Sequence, residues 1–199
     1  MRALIFSLLI TSSFSWKVFA AGKKCKDLDA KVTRAIESQK IMSQRGIKGE
    51  IRQEMTSLLD RGVEIDPMFF QHMIHRKGFK TTGFKDKDLL VGHAKKHGDE
   101  FNFVSDRQYL RNAEKFARSS DDNIISFRSK NDIYRYNPVS NEFQVIERSG
   151  KVIGTYYRPD LRKLNAARKR ENLPPFKSVT EWFIKNKWER FVLNSDFKK

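Results

Sequence analysis

Apolar residues recur at two different periods along this chain, and the change of period divides it. Leu28, Val32, Ala35, Ile36, Gln39 and Met42, then Ile47, Ile51, Met55, Leu58 and Leu59, recur at helical spacing, which predicts two helices. Gly62 suits the position just past the second. Asp66 followed by Pro67 predicts a cap and the first residue of a third helix, running through Phe69, Phe70, Met73 and Ile74 toward Gly78. Asp88 to His97 continues the helical pattern and stops at Gly98. Ser105 and Gln108 form a capping box, opening a helix with Tyr109, Ala113, Phe116 and Ala117 on one face. The Met and Phe stripes are most simply core.

After Ser119, Ser120, Asp121 and Asp122 the period becomes two. Segments 123–130, 132–136, 142–147 and 151–158 read as strands, joined by turn sequences at 137–141 and 148–151. Alternation places Ser126, Arg128 and Lys130 on one face, and Lys151, Ile153, Thr155 and Tyr157 on one face. From 160 onward the chain is helical and basic. Ser178 and Glu181 form another capping box, opening a helix with Val179, Trp182, Phe183, Trp188, Phe191 and Val192. The expected fold is α+β: N-terminal helices, two helices on one face of a four-stranded antiparallel sheet, and a basic helical C-terminus.

The first twenty residues carry a different signal. Arg2, the apolar run from Ala3 to Ile10, and Val18-Phe19-Ala20 before Ala21 have the layout of a secretory signal peptide cut after Ala20. The run is too short for a membrane span, which needs about 20 apolar residues. Three parts are thus expected: a signal peptide at 1–20, a helical segment at 21–85, and a domain at 86–199. The chain is expected to work in the periplasm or outside the cell.

Composition narrows the function. One cysteine excludes a disulfide framework and a cysteine-rich zinc module. A mean hydropathy of −0.65 excludes a polytopic membrane protein. The formal charge of +16 predicts a polyanionic partner, held with an affinity that falls steeply with salt. Aromatic and basic residues alternate at Phe127-Arg128, Tyr134-Arg135-Tyr136 and Tyr156-Tyr157-Arg158, a pattern able to stack unpaired bases. The same alternation also describes a half-buried strand in any basic protein. An anionic membrane surface is a further destination for such charge.

The chain has four histidines: His72, His75, His93 and His97. The first two flank Met73 and Ile74 on a Phe-rich segment and need no special role. His93 and His97 are four apart, one turn along the same helix face. That spacing suits zinc, but Ala94 stands where a zinc-protease helix needs Glu, and no third ligand is close in sequence. Lys95 and Lys96 lie between the two histidines. An imidazole takes or gives a proton near neutrality, and adjacent cations keep it neutral while attracting phosphate. RNA cleavage asks for little more, because its nucleophile, the 2′-hydroxyl, is already in the substrate.

The run His93, Lys96, His97, Gly98, Glu100, Phe101, followed by Ser105, Tyr109, Ala113 and Phe116, resembles the opening helices of bacterial toxin nucleases. The resemblance continues through Tyr136, Asn141, Phe143 and Val145, then Gly150, Thr155, Tyr157 and Pro159. It is to the barnase–EndoU–colicin–RelE group of metal-independent ribonucleases, and covers about residues 90–160. It implies His93 and His97 as acid and base, Thr155 as a phosphate donor, and Arg128 and Tyr157 as further site residues. Around these, Lys95, Lys96, Lys130, Arg135 and Arg158 are expected to bind RNA. The resemblance also implies a cognate immunity protein, and an acidic one would match the charge. The expectation is an exported endoribonuclease that needs no metal or cofactor and leaves a 2′,3′-cyclic phosphate. The alternative is a non-catalytic basic protein that binds nucleic acid or an anionic surface.

Overall fold

Hydroxyl and carboxylate side chains open the helices where the sequence places them. In the computed structural model, which describes residues 12–73, 77–103 and 105–193, helix α1 spans Ser12–Gln44, α2 Gly49–Asp60 and α3 Pro67–Gln71. Helices α4, Lys87–His97, and α5, Asp106–Arg118, follow. Asp66, Asp86, Ser105 and Ser178 each accept a hydrogen bond from a first-turn amide. Gly62, at φ +74°, closes α2: its amide reaches Leu59 O, and that of Val63 reaches Leu58 O. Two helix ends differ from expectation. α3 stops at Gln71, and Gly98 does not stop the chain but starts a 3₁₀ turn, Gly98–Phe101. The expected signal peptide lies outside the described residues as far as residue 11. No described helix is long and apolar enough to cross a membrane.

Strands β1, Ile125–Arg128, β2, Asp132–Asn137, β3, Glu142–Glu147, and β4, Ile153–Tyr157, form an antiparallel meander in the order β1-β2-β3-β4. Asn141 and Gly150, at φ 56° and 75°, supply the left-handed residues of the two later turns. A register shift between Val145 and Ile146 makes Ile153 pair with Ile146 while Thr155 pairs with Val145, leaving Gly154 as the extra residue of a bulge. Strict alternation therefore fails at this point. Ile153 joins Tyr109 and Tyr156 in a cluster with α5, whereas Tyr157 packs with Phe143 on the opposite face.

The expected α+β arrangement is present, with α4 and α5 on one face of a four-stranded antiparallel sheet, and the other face is covered as well. Ile133, Ile146, Ile153 and Tyr156 pack toward α4, α5 and Phe79. Ile125, Phe127, Tyr134, Tyr136 and Phe143 pack against α1–α3 and the C-terminal helices. These last are α6, Leu161–Arg170, and α7, Val179–Phe183, which continues as a π-helix over Ile184–Leu193. Phe183, Trp188 and Val192 are five and four apart. A 3.6-residue turn scatters that spacing, whereas a wider i→i+5 turn keeps the three buried side chains on one side. Ile41 through Met73 belong to the same core as the strands. The boundary expected at residue 85 thus separates no independent core.

Arg135 overturns one expectation outright. Its side chain is 1% exposed, so it is not available to RNA. The guanidinium donates to Lys77 O at 2.6 Å, Ser119 O at 2.7 Å, Phe116 O at 3.2 Å and Ser126 Oγ at 3.2 Å, and lies over the rings of Phe79 and Phe116. Burial lowers its pKa to about 10, still charged at neutral pH. Segment 77–79 reaches it because Gly78 passes so close to Arg118 O that a Cβ would lie 2.0 Å away. Phe127, Tyr134, Tyr136 and Tyr156 are likewise core residues and not base-stacking platforms.

Arg135→Met is expected to cost roughly 3–5 kcal/mol in urea unfolding, since it strands several buried carbonyls. Arg135→Lys should recover only part, because an ammonium lacks the fork. A fragment of residues 86–193 is expected to lose cooperative unfolding, since it strips α1–α3 from one sheet face, leaving only the C-terminal helices there, and removes Phe79 and Phe84 from the other.

Candidate functional site

Helix α4 ends against β4, and its last two turns bring the paired histidines to the sheet edge. His93, His97 and Tyr157 form a stacked row: 5.9 Å between the two imidazole centroids, and 5.0 Å from His97 to the Tyr157 ring. Phe84 closes the inner end, 5.3 Å from His93, and leads into the α5 core through Tyr109. The His97 side chain is only 12% exposed. The rings therefore face neither open solvent nor away from the sheet.

Glu100 fixes this row. Its Oε1 lies 2.8 Å from His97 Nδ1, and its Oε2 accepts the Arg158 amide at 2.7 Å. The Arg158 guanidinium donates back to Glu100 O and lies 4.6 Å over the Phe101 ring. One carboxylate thus joins the end of α4 to the end of β4. With Nδ1 donating to Glu100, a neutral His97 carries its lone pair on Nε2. The sequence reading gave Glu100 no role. Its signal is the three-residue step from His97, which the 3₁₀ turn converts into contact.

Burial, then His97, then Lys96 lower the pKa of His93 below the ordinary 6.5. Its Nδ1 is buried without a hydrogen-bond partner among the described residues. Burial, and secondarily Glu100, push the Tyr157 phenol upward, so it keeps its proton throughout the physiological range. Lys95 and Lys96 are exposed in the last turn of α4, where cations also favour the helix C-terminus. Thr155 is half-buried on the same β4 face as Tyr157, two residues away and about 7 Å along the strand.

Two expected members are elsewhere. Arg128 lies on β1, three strand spacings or about 14 Å across the sheet from β4. It is exposed at the end of its strand, far from the imidazole row. Lys130 follows it in the β1–β2 turn, where its carbonyl accepts from Arg148. Ser126, expected to share their open face, is buried beside Arg135. Lys187 is a cation that sequence reasoning missed. Its Nζ lies 5.1–5.4 Å from the rings of Phe191, Phe143 and Trp182, and Phe143 in turn meets Tyr157 edge-on at 5.2 Å. Burial, then Arg190, lower its pKa.

Among the described residues, no three His, Cys, Asp or Glu side chains gather as a metal-binding set. His72 stacks on Trp188, 6.0 Å between centroids, and His75 lies outside the described residues. No protein-family model matches the chain, and no curated protein matches it.

Protonation of His93 should work against folding. Above pH 6.5 neither folded nor unfolded chain carries that proton. Below it the unfolded chain binds the proton first, so stability falls as pH drops. His93→Gln is expected to flatten the urea midpoint between about pH 6.5 and pH 5. An unchanged pH profile would contradict the assignment.

Proposed function

We propose that the chain is an exported, metal-independent endoribonuclease whose centre is the Glu100–His97 pair. The observation carrying this reading is the 2.8 Å contact that orients His97, whose ring stacks on a protonated Tyr157 and whose partner Glu100 also holds the Arg158 amide. Charge, the resemblance over 90–160 and the leader-like N-terminus support it. His97 Nε2 takes the 2′-hydroxyl proton, and Glu100 stabilises the imidazolium that forms. The 2′-oxygen bonds to phosphorus, the bond from phosphorus to the 5′-oxygen breaks, and the Tyr157 phenol protonates the departing oxygen. Water restores the phenol as His97 gives up its proton. The products are a 2′,3′-cyclic phosphate and a 5′-hydroxyl.

His93, whose pKa is lowered, stays neutral near pH 7 and places no positive charge against His97. Its role is to position, through stacking. Thr155 is a donor to the phosphate, and Lys96 and Arg158 counter the charge on its oxygens, whereas Lys95, two residues from each histidine, lies on the other side of α4. Arg128, Lys130 and Arg135 have no part in this centre. An acidic inhibitor that covers the cations is the partner such a toxin-like enzyme requires.

A second reading has an observation of its own. The row from Phe84 to Tyr157 is well enclosed, as an aromatic seal on the sheet edge would be, and the protein would then bind polyanions without cleaving them.

Incubation of the protein with RNA and EDTA decides between them. Cleavage to cyclic-phosphate ends is expected, with a loss of roughly 10²–10⁴ in His97→Ala. Glu100→Gln should fall roughly tenfold or more, with RNA binding retained in both. Binding without cleavage from about pH 5 to pH 8 establishes the second reading. Loss of cleavage with EDTA establishes a metal-dependent hydrolase instead.

A further inference from the structure

Helix α6 begins four residues after Tyr157 and presents an unusual outer face. Arg162, Lys163, Ala166, Lys169 and Arg170 are exposed, so four cations surround one small residue over about 12 Å of helix. No acidic residue lies within the helix. Asp160, its N-cap, approaches Arg162 Nε at 3.6 Å, but Arg162 remains 93% exposed. The inner face is fastened down. Leu161 and Leu164 pack against the main core, and Asn165 exchanges two hydrogen bonds with the backbone of Phe176. Arg168 is already engaged, with its guanidinium 4.1 Å over the Phe176 ring and its Nε donating to Pro174 O.

Four like charges held on a braced helix repel one another, with acidic residues only at its two ends, Asp160 and Glu171. That arrangement is stabilised by an anion with several charges along its length. Ala166 leaves room between the cations for a phosphate to approach, and no large apolar side chain projects from this face to enter a bilayer. We infer that the outer face of α6 is a docking rail for the phosphate backbone of single-stranded RNA, continuing from the imidazole row beyond Arg158. For its substrate this rests on the ribonuclease reading. The rail supplies length-dependent affinity, not chemistry. It acts on strands long enough to reach past the scissile bond, and leaves short ones to the centre alone.

The test uses the full chain and a quadruple variant, R162Q/K163Q/K169Q/R170Q. Binding of a fluorescent 20-nucleotide all-deoxy strand, which lacks the 2′-hydroxyl and cannot be cleaved, is followed by anisotropy over a salt series. The slope of log affinity against log salt should become shallower by roughly 3 in the variant, as expected for four lost phosphate contacts. Each half variant, R162Q/K163Q or K169Q/R170Q, should give about half of that, which guards against a fold lost in the quadruple change. The KM for cleavage of a 20-nucleotide RNA should rise about tenfold or more, and cleavage of a dinucleotide should be unchanged. An unchanged slope and KM overturn the rail while leaving the ribonuclease intact. A shallower slope with no cleavage by the parent protein keeps the rail and refutes the ribonuclease. Binding to phosphatidylserine vesicles but not to the strand, lost in the variant, overturns the rail in favour of a membrane surface.

Discussion

A guanidinium with no carboxylate partner among the described residues holds the α5 side of this fold together. Arg135 stands in the second strand of a sheet whose two faces are both buried, and its two terminal nitrogens donate to the backbone oxygens of Lys77, Phe116 and Ser119 and to Ser126 Oγ. Those backbone oxygens belong to the last turn of α5, to the loop just after it and to Lys77. The same loop and helix end would otherwise bury unpaired carbonyls. Fixing α5 in this way fixes Tyr109, whose hydroxyl donates to Tyr156 O, and so places β4 beneath α4. The imidazole row is a consequence of that chain of contacts.

At the other end of the row, Glu100 does for the site what Arg135 does for the core. A single carboxylate meets an imidazole from α4 and an amide from the end of β4, so the two elements cannot shift independently. The histidines are then ordered by stacking. Ring contacts of 5.0–5.9 Å between His93, His97 and Tyr157 limit rotation and exclude water from one side of each ring. Lowered basicity at His93 follows from the same enclosure. A catalytic imidazole and a structural aromatic seal are built alike up to this point; they differ in whether a substrate oxygen can reach Nε2 of His97.

Charge is divided by burial into two kinds. Arg135, Arg168 and Lys187 are bound to rings or backbone oxygens and serve the fold. Lys95, Lys96, Lys163, Lys169 and Arg170 are exposed to solvent. The excess of positive charge in the sequence is thus smaller, as a binding surface, than its count suggests.

Caps, turns and alternation are local properties, which is why the sequence alone determined the helix starts at Asp66, Ser105 and Ser178, the four strands and their meander. It also brought His93 and His97 to one helix face, since 3.6 residues per turn requires it. What it could not determine depends on contacts distant along the chain. The bulge at Gly154 sends Ile153 to the other face, and the π-turns gather Phe183, Trp188 and Val192. Arg128 and Arg135 are both basic strand residues on one face of the sheet, yet one is exposed at an edge and the other is interior. Only the stacking of α5 over β2 decides which, because solvation is set by what covers a residue and not by its neighbours in sequence.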